Sequence, residues 1–446
     1  MIYTLRDYQK EASSIGLNYF KTNSNKNGLM ILPCGAGKSL IIADIAKALN
    51  DNVLILQPSK EILEQNYNKY ISYGEEAGIY SASFNRKEIT KVTYATIGSI
   101  INKKDDFSLF NYIIVDEADR VNPKGGQYKE FLEYINGKVI GLTATPFRLN
   151  TDGYGGSMLK FLTRTRPRMF HEVIYSVQIS DLLKENYLSI MKYKTDKVFN
   201  RQDLKVNTTG ADFEKISLKE YCKKIKQNQR TIDSIKIYSY RKGIICFVNS
   251  IDDAKYIQAE FSTNSRVVHS KTSKTDREKI LNDFKTGEIK IIINVEILTY
   301  GFNYPELDTI IIARPTLSLS LHMQFLGRGM RPHPDKEYCL VVDLTDNVKR
   351  FGKIEDIVYV NNGNKPYIKN SKIQLTNVYF GDERNFQKGK LENSSTIMPF
   401  GKHKGKFIHR IPRYYLEWLY DKANIKGELK LAIENTLGIV TEEEPF

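Results

Sequence analysis

Cysteine is scarce in this sequence: four residues in 446 (Cys34, Cys222, Cys246 and Cys339), with no Cys-x-x-Cys pair. Neither a zinc site nor a disulfide framework is readable from that spacing, and a reducing cytoplasm is the expected compartment. No apolar run approaches the roughly 18 residues that would span a bilayer, so no membrane partner is expected. The start, Met1-Ile-Tyr-Thr-Leu-Arg-Asp7, lacks the apolar core of a signal peptide. Low-complexity tracts are missing too, and a hydrophobic fraction of 41% is that of an ordinary globular protein. What remains is a chain long enough for two or three domains.

Charge is unevenly spread. The formal net charge is +14, and residues 151–230 alone carry 16 Lys+Arg against 9 Asp+Glu, which is half of that excess. Basic charge gathered between two domain-sized blocks suits a surface that tracks a phosphate backbone.

The pattern around which the rest is organised is Met30-Ile-Leu-Pro-Cys-Gly-Ala-Gly-Lys-Ser39, followed by the helically spaced Leu40-Ile-Ile-Ala-Asp-Ile-Ala46. Its order is strand, glycine-rich loop, helix. Gly35 and Gly37 allow backbone N–H groups to turn onto an anion, Lys38 can reach β/γ-phosphates, and the Ser39 hydroxyl can ligate Mg²⁺. A strict P-loop would have glycine at position 32, where this chain has Leu32. Upstream, Leu5, Tyr8, Ala12 and Ile15 share one helical face and leave Arg6 and Gln9 on another; an amide such as Gln9 matches the edge of adenine.

Apolar strands alternate with helical patterns after the loop, which argues a parallel α/β sheet with ligands at its strand C-termini. Val53–Pro58 reads as a buried strand, with Ser59 as the cap of the next helix, and Val92–Ile97 as another strand end. Tyr112-Ile-Ile-Val-Asp-Glu-Ala-Asp119 is an apolar strand ending in adjacent carboxylates. Asp116 there suits a Mg²⁺ partner, and Glu117 suits a base that orients or deprotonates water. Val139–Pro146 runs into Thr143 and Thr145, hydroxyls able to bond that acidic pair. A second strand–helix series begins at Gly243 and has no phosphate loop. It leads to Gln324-Phe-Leu-Gly-Arg-Gly-Met-Arg331, which sets Gln324, Arg328 and Arg331 on one helical face.

Taken in order, Gln9, Gly35-Ala-Gly-Lys-Ser39, Asp116-Glu-Ala-Asp119, Thr143-Ala-Thr145 and Gln324–Arg331 resemble the superfamily 2 helicases and translocases over residues 2 to about 350. The closest likeness is to RadD-type and phage-encoded branch-migration helicases and to restriction-enzyme motor subunits. The Asp-Glu-Ala-Asp spelling suggests DEAD-box RNA helicases. However, Gln57-Pro-Ser-Lys-Glu61, Thr143-Ala-Thr145 and the compact Arg6-Asp-Tyr-Gln9 differ from that group's patterns, which favours DNA over RNA.

The resemblance implies two RecA-like parallel-sheet domains in tandem plus a small C-terminal α+β module. The expected division is 1–150 (ATP-binding), 151–230 (basic connector), 231–350 (second RecA-like domain), 351–394 (β-rich extension) and 395–446 (module). It implies ATP and Mg²⁺ as cofactors, with Arg6, Gln9, Pro33, Cys34, Gly35, Ala36, Gly37, Lys38, Ser39 and Gly301 binding the nucleotide. Lys38, Asp116, Glu117, Gln324, Arg328 and Arg331 would be catalytic, Ser39 and Asp116 would hold the metal, and Thr143 and Thr145 would couple. Arg328 and Arg331 would act as arginine fingers, because guanidinium spreads positive charge over phosphate oxygens. Family members commonly have Asp where Asn303 stands, so an ion pair between domains is not expected there.

The implied partner is branched or junction DNA, met by a monomer, in replication, recombination or repair. Pro58, Ser59, Lys60, Thr96, Ile97, Ser270, Lys271 and Thr299 are candidates for the DNA track. In the tail, Met398-Pro-Phe-Gly-Lys-His-Lys-Gly-Lys406 interleaves glycine with lysine, resembles a module appended to some bacterial nucleases, and adds Lys402 and Lys404 to the candidates. Leu218–Tyr240 reads as one basic amphipathic helix, and residues 351–380 as β-hairpins. An RNA helicase and a nucleotide-gated DNA clamp without turnover are the competing readings.

Overall fold

The computed structural model describes residues 3–151, 157–207, 211–296, 304–363, 365–378, 398–408, 411–422, 425 and 427–437. The chain forms two compact units, Met1–Arg384 and Asn385–Phe446.

In the first unit, β1 (Gly28–Ile31), β2 (Val53–Gln57), β3 (Gly78–Ser81), β4 (Arg86–Lys87), β5 (Val92–Thr96), β6 (Tyr112–Asp116) and β7 (Lys138–Thr143) enter one sheet. Next come a separate antiparallel hairpin, β8 (Phe147–Thr151) with β9 (Ser157–Phe161), and then β10 (Glu172–Ser176), which returns to that sheet. The sheet order is β10-β1-β7-β6-β2-β5-β3-β4, parallel except where β4 turns back on β3. Strands β1 and β2 are buried along their whole length, as continuous apolar runs covered on both faces must be. Each Leu or Ile so buried contributes about 2 kcal/mol.

Register places the chemistry. Ile31 pairs with Thr143, and Asp116 with Leu142, so the phosphate loop, the carboxylates and the threonines leave the sheet at one C-terminal edge.

A second parallel sheet is built from β11 (Ile190–Thr195), β12 (Ile244–Phe247), β13 (Ser265–Val268), β14 (Ile291–Asn294), β15 (Thr309–Ile312) and β16 (Tyr338–Asp343), in the order β11-β16-β15-β12-β14-β13. Residues 151–230, which read from sequence as a connector, therefore supply an edge strand to each sheet. Leu218–Tyr240 is two helices rather than one, Lys215–Lys224 and Gln227–Ile237, with Lys226 left-handed at φ 51° between them. Two cores divide the pattern: Tyr221 joins Phe199, Leu204 and Phe213, whereas Ile232 and Ile235 join the second sheet.

Strands β17 (Val358–Val360) and β18 (Tyr367–Lys369) form the antiparallel pair that the alternation after 351 suggested. They return to the β8–β9 hairpin, where Tyr359 stacks on Phe161 at 5.8 Å and the Asn377 N–H donates to the Leu159 carbonyl at 2.6 Å. The second unit packs helices Arg413–Lys422 and Gly427–Leu437 around Met398, Ile408, Ile411, Leu416, Leu419 and Ile433. The helical spacing of Ile411, Tyr415 and Leu419, and of Leu429, Ile433 and Leu437, is thus explained by one small core.

Candidate active site

The loop after β1 turns on glycine: Gly35 has φ +84° and Gly37 φ +76°, a region that side chains with a Cβ rarely adopt. Helix Lys38–Leu49 starts immediately after, so its unsatisfied N–H groups and the positive end of its dipole face the loop. Leu32 donates to the Thr143 carbonyl at 3.0 Å and so joins the loop to β7.

Gln9 braces the loop from below. It is buried, its Nε2 donates to the Ala36 carbonyl at 2.9 Å, and its Oε1 accepts from the Arg6 N–H at 2.9 Å. The Tyr8 hydroxyl also donates to Ala36, at 2.7 Å. Arg6 lies 4.3 Å over the Tyr187 ring. The amide expected to meet adenine thus spends its hydrogen bonds on the loop carbonyl of Ala36 and on the start of its own helix in this conformation.

Opposite the loop, Lys38 Nζ donates to Glu117 Oε1 at 3.0 Å. Burial works against the lysine's charge, but Glu117 and Asp116 outweigh it and hold its pKa above the ordinary value. Glu117 is left-handed (φ 51°), a strained backbone for a residue with a side chain, and this re-aims it from the end of β6 toward Lys38. Asp116 accepts from Asn66 Nδ2 and from the Glu117 N–H, both at 3.0 Å. Burial, followed by the charge of Glu117, raises its pKa to about 6.

Asp119 is raised to about 7 by the same two causes. It accepts from the Thr143 hydroxyl at 2.7 Å, and Thr143 in turn accepts from the Thr145 N–H at 3.0 Å. Arg148, on β8, donates to the Asp119 carbonyl.

The third face comes from the other sheet. Helix Leu319–Gly329 buries Gln324 and Arg328 and lies directly on the loop: a Cβ on Gly327 would come 2.6 Å from Cβ of Cys34. Arg331 Cγ lies 3.9 Å from where a Cβ on Gly35 would be. Burial, then repulsion from Arg328, lowers the Arg331 pKa to about 10. Guanidinium groups crowded this way favour an anion between them.

The residues fit a magnesium-bound nucleoside triphosphate. Among the described residues no group of three His, Cys, Asp or Glu could hold a metal alone. Mg²⁺ by preference takes one or two protein oxygens and completes its shell with phosphate and water, and Ser39 and Asp116 stand at the edge where that would occur. Burial and the neighbouring Glu117 charge disfavour the Asp116 carboxylate, a cost that a bound cation would offset.

The DNA-track candidates fall on neighbouring strand ends. Ser59 caps helix Lys60–Ile71, accepting from the Ile62 N–H, and the Pro58 carbonyl accepts from Arg120 at 3.4 Å. Thr96 meets Ser99 at 2.9 Å just ahead of helix Ile97–Ile100. Lys60 donates to the Ser83 carbonyl at 2.8 Å and lies 4.3 Å over the Phe84 ring. From the second sheet, Ser270 and Lys271 occupy the turn after β13, where the Lys271 N–H donates to His269. Glu61 and Arg277 pair across the cleft at 3.2 Å, and Lys274 beside Lys60 holds that lysine's pKa below its usual range. Thr299, Gly301 and Asn303 lie outside the described residues. Lys402 and Lys404 belong to the second unit.

Sequence reasoning missed Asn66, Lys69 and Arg148. Asn66 is a polar residue in the buried stripe Ile62, Leu63, Asn66, Tyr70, which was the available signal. Lys69, one turn on, is lowered to about 8 by burial and then by Arg331, against the pull of Asp116. Arg148 had no signal beyond following Thr145 closely.

With that geometry in place, comparison with known proteins gives a consistent result. Residues 2–148 match the family "Type III restriction enzyme, res subunit", and 224–333 match "Helicase conserved C-terminal domain". The chain is similar to the putative ATP-dependent helicase IRC3 of Saccharomyces cerevisiae, with 24% identity over 76% of this chain and 51% of that one. It is also 23% identical to the ATP-dependent DNA helicase uvsW of Enterobacteria phage T4, over 76% of this chain and 68% of that one. The chain is thus similar to ATP-dependent helicases over both of its parallel-sheet domains. A solved relative in fold is the ATP-dependent type ISP restriction-modification enzyme LlaBIII bound to DNA, with TM-score 0.55 and 20% identity over 77% of this chain and 28% of that one. The chain spans about half the length of that yeast relative. Residues 388–443 match a further family, described as "Putative quorum-sensing-regulated virulence factor".

Proposed function

We propose that this chain is an ATP-driven DNA translocase that unwinds or remodels branched DNA. The observation that carries this is the contact between the phosphate loop and the helix bearing Arg328, with Gly327 against Cys34 and Arg331 beside Gly35. A site assembled from both domains can make its nucleotide contacts depend on domain closure, and closure can then be set by differential contacts.

In this reading Lys38 and the loop N–H groups bind the β/γ-phosphates. Ser39 and Asp116 would hold Mg²⁺, whose charge offsets that of the phosphate oxygens. Glu117 orients and deprotonates the attacking water once Lys38 turns to phosphate. Gln324, Arg328 and Arg331 approach from the second domain and stabilise charge on the transferred group. Thr143, held to Asp119 and Thr145, passes the state of the site to β8. DNA lies over Lys60, Thr96 and the turn at Ser270–Lys271, and is stepped as the cleft opens and closes.

DNA, rather than RNA, is supported by the DNA helicase named in phage T4 and by the DNA-bound restriction enzyme of like fold. The test is ATP hydrolysis by the wild type and by Lys38→Ala and Glu117→Gln, with matched DNA and RNA and a panel of forks, flaps and four-way junctions. Both variants are expected to lose DNA-stimulated hydrolysis at least a hundredfold. Retained hydrolysis in either overturns the site, and stimulation by RNA alone overturns the choice of polymer. Equal unwinding of blunt duplex and junctions overturns the branched-DNA preference.

A further inference from the structure

In the second unit, the backbone from Met398 to Lys406 closes on itself. The Met398 N–H donates to the Lys406 carbonyl at 2.8 Å, and the Gly405 N–H to the Met398 carbonyl at 2.9 Å. Gly401 and Gly405 hold the turn in the left-handed region (φ +72° and +81°), and a side chain at 401 would strike the Tyr415 hydroxyl at 2.8 Å. This path leaves Lys402, Lys404 and Lys406 exposed and turns His403 inward against the edge of Tyr415, with rings 4.6 Å apart. His403 is only 7% exposed, and neither of its ring nitrogens has a partner among the described residues. A buried imidazole without a hydrogen bond is costly and marks a place built for something besides packing.

The aromatic row continues outward. Tyr415 lies 5.5 Å from Trp418, and Trp418 and Tyr414, one turn apart, are 54% and 68% exposed; Phe400 is 43% exposed beside the turn. Exposed aromatic faces next to ammonium groups have the chemistry of unpaired nucleotides, whose bases stack and whose phosphates pair with lysine. Glu417 and Asp421 are exposed on the same helix, so the surface beside the lysine turn is of mixed charge. A mixed surface favours a strand held mainly by stacking over one held by charge alone.

We infer that the C-terminal unit is a single-stranded DNA site, with Trp418 and Tyr414 stacking bases and Lys402, Lys404 and Lys406 contacting phosphates. The choice of DNA rests on the motor reading above; the stacking chemistry does not.

Trp418 is the chain's one tryptophan, so its emission reports this site in the full-length protein. Titration with a short oligo-dT should quench that emission to saturation. Tyr414→Ala, at an exposed position that leaves the small core intact, should raise the half-quench concentration about tenfold. Replacing the three lysines by Gln should flatten the salt dependence of log K by about 2, at roughly 0.7 per phosphate contact on a single strand. Anisotropy of labelled oligonucleotide and ATPase stimulation, followed in parallel, report the motor. Binding or stimulation with unchanged Trp418 emission overturns the site and spares the motor. Equal quenching by blunt duplex, or tighter quenching by oligo-rU, overturns the ligand. No binding and no stimulation by any DNA overturns both readings.

Discussion

Gly327 and Cys34 meet with no room for a methyl group between them: a Cβ at 327 would lie 2.6 Å from Cβ of Cys34. Gly327→Ala should raise the helix propensity of Leu319–Gly329 by about 1 kcal/mol while holding that helix off the phosphate loop. We expect a melting temperature equal to or above that of the wild type and DNA-stimulated ATP hydrolysis reduced more than tenfold. Adding Cys34→Gly, which removes the colliding atom, should recover part of the loss. A fully active Gly327→Ala would show that this contact does not matter for turnover.

Gln9 can brace the loop or read the base, and the two roles have different signatures. Its amide bonds to Ala36 and Arg6 favour the brace. Gln9→Ala should therefore weaken ATP and GTP by a similar factor, about tenfold each, the loss of roughly 1.4 kcal/mol. Selective loss of ATP, measured with fluorescent analogues of both nucleotides, would assign Gln9 to adenine instead.

Lys60 and Lys274 stand side by side although they belong to different domains. Like charges brought that close suit a shared phosphate. Replacing both by Gln should weaken DNA binding regardless of sequence and lower the single-strand salt slope by about 0.7, the value for one phosphate. An unchanged slope would move the track elsewhere.

His322 supplies a pH test. It is fully buried on the Arg328 helix, bonded to the Gly352 carbonyl at 3.1 Å, and burial lowers its pKa to about 4. Because the folded pKa lies below the unfolded value near 6.5, the unfolded chain binds the proton first. Stability is then complete above about pH 6.5 and falls as pH drops toward 4, by up to roughly 3 kcal/mol. His322→Gln, which keeps a donor for Gly352, should show a smaller fall in melting temperature between pH 7.5 and 5. Parallel curves for the two proteins would exclude His322 as the source.

The nucleotide site was legible because its chemistry is written in short contiguous runs. Gly35–Ser39 and Asp116–Asp119 each sit at the end of an apolar strand, and strand ends of a parallel sheet converge whatever the loops between them do. Gln324, Arg328 and Arg331 were legible as a helical face, but that Gly327 serves as the contact point was not, since only the facing Cys34 gives that glycine a reason. The β8–β9 hairpin is hard to see in sequence because Pro146 precedes it and glycines at 153, 155 and 156 interrupt it. Asn66 and Lys69 were hidden because the groups they meet are distant in sequence: Asp116 at the end of β6, and Arg331 beyond the helix of the second sheet. The break at Lys226 depended on two cores competing for one amphipathic pattern, which periodicity alone does not separate.

The strands β10 and β11 have a practical consequence for anyone dividing this protein. A gene cut at the intuitive positions, leaving 1–150 and 231–350, would strip β1 of its neighbour on one side and β16 of its partner on the other. Each fragment would expose a fresh, apolar sheet edge and would be expected to aggregate. A cut between Ser176 and Ile190 would leave both sheets whole, so the two halves could be expressed separately and their reassembly followed.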